Sequence, residues 1–477
     1  MARKKQGKIK YVICTVAFFV LLTTSLRYLS NRMELKSSHV KYDDFFECGE
    51  DVDVLFLGSS HVINAVFPDM LWKEYGITSY NLGNHGEYLP TTYEVLRNAL
   101  DYSTPQVVVV DMFTVSQMGT YYNKSFSHVS LDAFPLTRTK FNSINTLFED
   151  IDTKCEFISN FCLYHTRWDE YLSLSPEYTP SVLKGAEMRV NVETSVGTLM
   201  ESDDKEETMT DGIQALIKIK ELCEKEGIDL ICINIPYSGF ENRDAATNYA
   251  ATIMQETGIT YLNFRNENSE LKLNPKTDYY DKQHVNPLGG RKVTEYLGQY
   301  LLENCGVVDR RESETANQWN QDIELSTAER MEAVKKEAED GKLVNTLMMM
   351  KANKVKGIIT ITPYSFFRNK GNVKEILKQM GFDDSTIDEL GENSVWVGVY
   401  DEVNGIADGK LVSVDGEFFL PDFAQVGDSF YLTVLDYNKI RCAYNDEDEV
   451  GLHNQMAMIY LFDDAGNLLI EKGFGTS

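Results

Sequence analysis

Three short segments carry side chains that, brought together, would supply a nucleophile, a base and an acid to orient the base. Leu57-Gly58-Ser59-Ser60-His61 closes an apolar run that begins after Asp53. A serine at the end of a strand and the start of a helix has its own N–H and the positive helix end available to stabilise an oxyanion. Tyr80-Asn81-Leu82-Gly83-Asn84-His85-Gly86 follows a second apolar segment. Glycine in such a loop lets backbone approach a substrate and lend it an N–H. Asp281-Lys282-Gln283-His284-Val285-Asn286 places an aspartate three residues before a histidine. That spacing suits His284 as general base and Asp281 as its orienter. Each signal is common when met singly. Their order is the informative feature: serine at the first strand, glycine loop at the second, Asp-x-x-His near the end of the unit. The chemistry it suggests is acyl transfer through Ser60.

The elements that must position these residues read as an α/β unit over residues 51–305. Buried strands are expected at 53–57, 77–82, 106–113, 228–235 and 260–264. Helices are expected at 68–75, 91–101, 211–226, 243–257 and 288–303. Continuous apolar strands alternating with helices argue for a parallel sheet covered on both faces. In open sheets of this kind, ligands bind at the carboxyl ends of the strands, where Ser60 falls. Residues 117–205 lack the alternation and read as an insertion. Residues 306–344 are charged and read as a linker or bridging helix. From 345 to 477 short strands predominate, and a smaller, β-rich second domain is expected.

The N-terminus carries a basic cluster, Arg3, Lys4, Lys5, Lys8 and Lys10, then an apolar run that extends to Leu29. That length suits a single membrane span, and the absence of a clean small-x-small site favours an uncleaved anchor over a signal peptide. The basic flank at 1–10 would stay in the cytoplasm, with a polar stalk at 30–50 and the rest of the chain outside the cell membrane. The formal net charge is −27, which gives no electrostatic reason to bind nucleic acid. Eight cysteines are scattered without a CxxC pair or zinc spacing, and no disulfide can be assigned. There is no nucleotide loop, metal cluster or flavin fingerprint, so neither cofactor nor metal is expected.

The order of the three segments resembles the SGNH/GDSL hydrolase superfamily over about residues 50–305. Gly58-Ser59-Ser60 is similar to its Gly-Asp-Ser block, which places the nucleophile at Ser60. Asn81 through Gly86 is similar to its second block, which by spacing makes Gly86 an oxyanion donor beside the Ser60 N–H. Asp281 and His284 are similar to the last block. The resemblance implies a flavodoxin-like three-layer domain. One block departs: the family's next strand ends in Gly-x-Asn-Asp, whose asparagine completes the oxyanion hole, whereas here it ends Val110-Asp111-Met112-Phe113. In that respect the chain is similar to the divergent members of D-alanyl transfer and alginate acetylation. Those members imply a cell-surface polysaccharide or other acyl acceptor and a membrane-bound O-acyltransferase as partners.

Several residues remain open on sequence. Asn84 and Asp111 are candidate substrate contacts, with Asp111 equally readable as a cap. His165, Arg167 and Trp168 suit either a carbohydrate groove or an amphipathic helix with Trp168 in the core. His61 and His85 have no carboxylate spacing that would make a metal site. Residues 345–477 resemble the lectin-like domain of the interleukin-like EMT inducer (PANDER-like) group, a β-sandwich that implies glycan or protein binding. The expected function is an extracytoplasmic serine esterase or O-acyltransferase acting on polysaccharide. The alternatives are a simple deacetylase and a non-catalytic, membrane-tethered glycan-binding scaffold.

Overall fold

The computed structural model describes the chain except residues 1, 34–39, 160–161, 164–181, 198, 200–201, 267, 437–438, 446–450, 454–456 and 475–477. Helix α1 (Ala2–Met33) contains the stretch Ile9–Ser30, long and apolar enough to cross a membrane. A signal sequence near an N-terminus has the same signature. Helix α2 (Val40–Cys48) follows. The polar stalk expected over 30–50 fails in this second half, because Tyr42 and Phe45 lie one helical turn apart and are both fully buried in the neighbouring core.

Five strands, β1 (Val54–Leu57), β2 (Ser79–Asn81), β3 (Val107–Asp111), β4 (Asp229–Asn234) and β5 (Thr260–Asn263), form a parallel sheet in the order β2-β1-β3-β4-β5. This is the flavodoxin-like order, with its reversal between β1 and β3. Side chains alternate across a strand, and the two faces feed two cores. Leu55, Leu57, Val108 and Val110 join one, under helices α5 (Leu89–Ala99) and α9 (Asp211–Glu226). Val54, Phe56, Val107 and Val109 join the other, under α3 (Ser60–Ala65), α4 (Pro68–Tyr75) and α11 (Pro287–Asn304). Coverage on both faces explains why β1 is apolar along its whole length and β3 up to Asp111. Helix α10 (Asp244–Thr257) lies between β4 and β5 in the chain.

The insertion has structure that its sequence does not advertise. Helices α6 (Lys124–Leu131), α7 (Arg138–Leu147) and α8 (Ile151–Ile158) bury Leu131, Ile144, Leu147 and Phe157 against the first core. Helix α12 (Ala316–Asp340) is a bridge: Trp319 enters the first core, and Val334 and Ala338 enter the C-terminal one. Its Arg330 forks onto Asp69 of α4, with contacts of 2.6 and 2.9 Å.

The C-terminal region stacks two antiparallel sheets. Strands β6 (Gly357–Ile361), β7 (Ser394–Asp401), β8 (Ile406–Ser413), β13 (Ala457–Phe462) and β14 (Leu468–Phe474) form the order β14-β13-β6-β7-β8. Strands β9 (Glu417–Pro421), β10 (Ser429–Asp436), β11 (Lys439–Tyr444) and β12 (Gly451–His453) form the second sheet. Ile358, Val395 and Val397 face Phe430 and Leu432 between them. The outer face of the five-stranded sheet is covered by α13 (Leu343–Ala352) and α14 (Pro363–Met380). Arg291 of α11 reaches Glu402, just past β7, at 2.5 Å and so ties this region to the parallel-sheet unit.

Candidate active site

The nucleophile turn is built around Gly58. Its φ of +128° is one that side-chain-bearing residues rarely adopt, and a Cβ there would sit 2.8 Å from the Asp111 Cβ. This close approach puts Ser59 over the end of β3. The Ser59 hydroxyl donates to Asp111 Oδ2 at 2.6 Å, and its N–H points at the same oxygen from 3.4 Å. The Ser59 oxygen in turn caps α3 by accepting the His61 N–H. Ser60 is then the first residue of α3, where helix geometry leaves its N–H without an intrahelical acceptor. Asn81 fastens the other end of α3, donating to the carbonyls of Val62 and Val66 and accepting the Gly83 N–H.

Ser60 Oγ lies 2.7 Å from His284 Nε2. His284 Nδ1 lies 2.9 and 3.0 Å from the two oxygens of Asp281. The network assigns the ring proton to Nδ1, leaving Nε2 to accept from the serine hydroxyl. Asp281 Oδ1 also accepts the N–H groups of Gln283 and His284, at 2.7 and 2.8 Å. Burial opposes ionisation of Asp281, but these three hydrogen bonds outweigh it and bring the carboxyl down to about 2. The turn that carries the pair is closed by the Tyr279–Val285 bridge and by Tyr280 N–H donating to the His284 carbonyl. Asn286 ends it, capping α11 through the N–H groups of Leu288 and Gly289. Tyr279 and Ser238 anchor the turn to the loop after β4.

One sequence expectation needs correction, and of the two readings open for Asp111 the structure shows the second. Asn84 is not a substrate contact. It is buried, and its amide donates to Tyr42 Oη, the Leu82 carbonyl and Glu87 Oε2. Asp111 does not line the site either. It is fully buried, its Oδ1 accepts the Phe113 N–H, and its Oδ2 holds Ser59. Desolvation raises its carboxyl to about 6 against those hydrogen bonds. A short side chain at a strand end pressed against a glycine reaches only the turn beside it, here the Ser59 hydroxyl and the N–H groups of Ser59 and Phe113. Gly86 has φ +60°, and a Cβ there would meet the Phe126 ring at 2.7 Å. His165, Arg167 and Trp168 lie outside the described residues.

The structure also exposes residues that the spacing could not single out. His61 is 1% exposed, stacks on Phe113 at 3.7 Å and stands 5.2 Å from the His284 ring. Among the described residues neither of its ring nitrogens has a partner. Burial, then the charges of His284 and Arg243, holds it well below the usual histidine value, so the ring is neutral. Glu87 is buried behind the glycine loop, where burial raises it to about 7. Lys41 of α2 donates to the Gly83 carbonyl of the same loop. His85 is occupied by Glu187 at 3.0 Å. No cluster of potential metal ligands occurs among the described residues.

No protein-family model and no curated protein matches the chain. Among solved structures it is similar to an active-site mutant of a family two carbohydrate esterase from Clostridium thermocellum, at 11% identity and a TM-score of 0.27. It is also similar to an acetyl xylan esterase from the rumen bacterium Butyrivibrio proteoclasticus, at 10% identity and a TM-score of 0.24. Each match covers 54% of this chain and 65% of the other.

Proposed function

We propose that the chain is a membrane-anchored, extracytoplasmic serine esterase or O-acyltransferase that works on glycans through an acyl-Ser60 intermediate. The observation that carries this reading is the unbroken line Ser60 Oγ, His284, Asp281, with both ring nitrogens of His284 in hydrogen-bond contact. His284 takes the Ser60 proton as Oγ attacks the ester carbonyl. The charge that develops on the carbonyl oxygen meets the Ser60 N–H, with Gly86 as the second donor. His284 then gives its proton to the departing alkoxide, leaving the acyl group on Ser60. In the second half His284 deprotonates the acceptor, which attacks the acyl-serine and restores the Ser60 hydroxyl. Water as acceptor makes an esterase; a sugar hydroxyl makes a transferase. Asp281 stays ionised and holds the imidazole tautomer throughout.

The apolar Ile9–Ser30 helix behind a basic flank is read as the anchor, with the site outside the membrane. Only residues 34–39 separate α1 from α2, and α2 is packed into the catalytic unit. That short tether suits delivery of an acyl group by a membrane-bound O-acyltransferase to a cell-surface polysaccharide. Full-length protein in detergent should hydrolyse p-nitrophenyl acetate, and Ser60→Ala should abolish it. A Ser60→Ala protein that releases p-nitrophenol as fast as the parent refutes the assignment.

A further inference from the structure

The active-site face carries a cation that has no carboxylate partner among the described residues. Arg243 ends a short helical turn before α10 and is half-buried. Its guanidinium lies 4.4 Å from the Phe113 ring centre and 4.3 Å from that of Phe240. Among the described residues the guanidinium has one hydrogen-bond contact, a long one of 3.5 Å to the Phe113 carbonyl. Among the described residues no carboxylate is within ion-pair distance of it, whereas Arg265, Arg291, Arg310 and Arg330 each hold one. The adjacent Asp244 is already taken, by Arg265 at 2.5 Å and by the Ser202 N–H at 2.9 Å. In a chain of net charge −27, a half-buried arginine without an acid among the described residues is conspicuous.

Its place in the site follows from ring contacts. His61 is next to the nucleophile and stacks on Phe113; Phe113 in turn carries Arg243. Ser60, Phe113, Phe240, Arg243 and His284 are all partly exposed, so this line of residues opens to solvent. On the glycine-loop side, Tyr88 lies within electrostatic range of Arg243 and against Tyr122 at 6.0 Å. Tyr122 is 63% exposed and stacks over Phe126 beside Gly86. Aromatic faces stack on sugar rings, and a guanidinium pre-set on two rings presents its free N–H fork to a planar carboxylate. We propose that Arg243 is a subsite for the carboxylate of an acidic sugar residue next to the one whose ester meets Ser60. The substrate class is then an acidic glycan. This inference rests on the esterase reading for the position of the ester, but recognition of the acid can be measured without turnover.

The test uses the full-length Ser60→Ala protein and calorimetric titration with trigalacturonate and with neutral maltotriose. Trigalacturonate should bind at least about tenfold more tightly, and the preference should shrink as salt is raised from about 50 to about 300 mM. Adding Arg243→Gln should weaken trigalacturonate binding about tenfold or more, and Arg243→Lys should recover part of the loss. Equal affinity for the two trisaccharides, no binding of either, or an equal loss on both with Arg243→Gln would overturn the proposal. Should Arg243→Gln fail to fold, the salt response of the parent decides, since a salt-independent preference also overturns it. Retained ester turnover by Ser60→Ala would refute the esterase reading while leaving this binding result intact.

Discussion

Ser60, His284 and Asp281 meet side chain to side chain, whereas Asn81, Asn84 and Asp111, which surround the same turn, direct their polar atoms into the protein. The first group is partly open to solvent; the second is buried. The contrast teaches how a strand end that carries an aspartate can hold the neighbouring Ser60 in order. A turn that places a glycine at positive φ needs a partner to keep it in position, and the buried Asp111 is that partner. A residue engaged in that way cannot also meet a substrate. Sequence position next to a catalytic motif therefore says little about role until the hydrogen bonds are counted.

The contrast can be broken in a definite order. His284→Ala removes the base and should lower kcat for p-nitrophenyl acetate about a thousandfold or more; a loss under tenfold would place the base elsewhere. Asp281→Asn keeps the shape but no longer fixes the tautomer, and kcat should fall about a hundredfold or more with KM little changed. Asp111→Ala acts through Ser59. It strands buried donors at about 1–3 kcal/mol apiece and misplaces Ser60, so melting temperature and kcat should fall together, by about tenfold for kcat. An Asp111→Ala protein that melts like the parent and shows only a raised KM would restore Asp111 as a substrate contact.

The smallest effect concerns Glu87, raised by burial from 4.5 to about 7. The folded state holds this proton more tightly than the unfolded chain. Stability should therefore fall as pH rises from about 4.5 through 7 and stay lower above. Glu87→Gln removes that contribution, so its thermal stability should decline less than the parent's between pH 5 and pH 8. Parallel curves would show that Glu87 does not titrate as its burial requires.

The parallel sheet was legible because β1 and β3 are apolar on both faces and their helices keep a regular spacing. The order of Ser60 and Asp281-x-x-His284 was legible for a related reason: Ser60 opens a helix just after the first strand, and His284 stands just before α11. Arg243 and His61 were not, because their place depends on ring contacts with Phe113, in the turn after β3 and far from both in sequence. Helix α2 reads as stalk because nine residues with three acids among them carry little apolar weight, although Tyr42 and Phe45 share a face. The insertion helices hid behind aromatic and polar composition. Their buried residues fit the first core only once that core exists.

The most direct measurement is covalent. Full-length protein treated with a fluorophosphonate should gain one adduct, mapped by mass spectrometry to Ser60, and labelling should be lost in Ser60→Ala and strongly slowed in His284→Ala. No adduct, or an adduct on another residue at undiminished rate in Ser60→Ala, would contradict the acyl-Ser60 mechanism and favour a non-catalytic glycan-binding role.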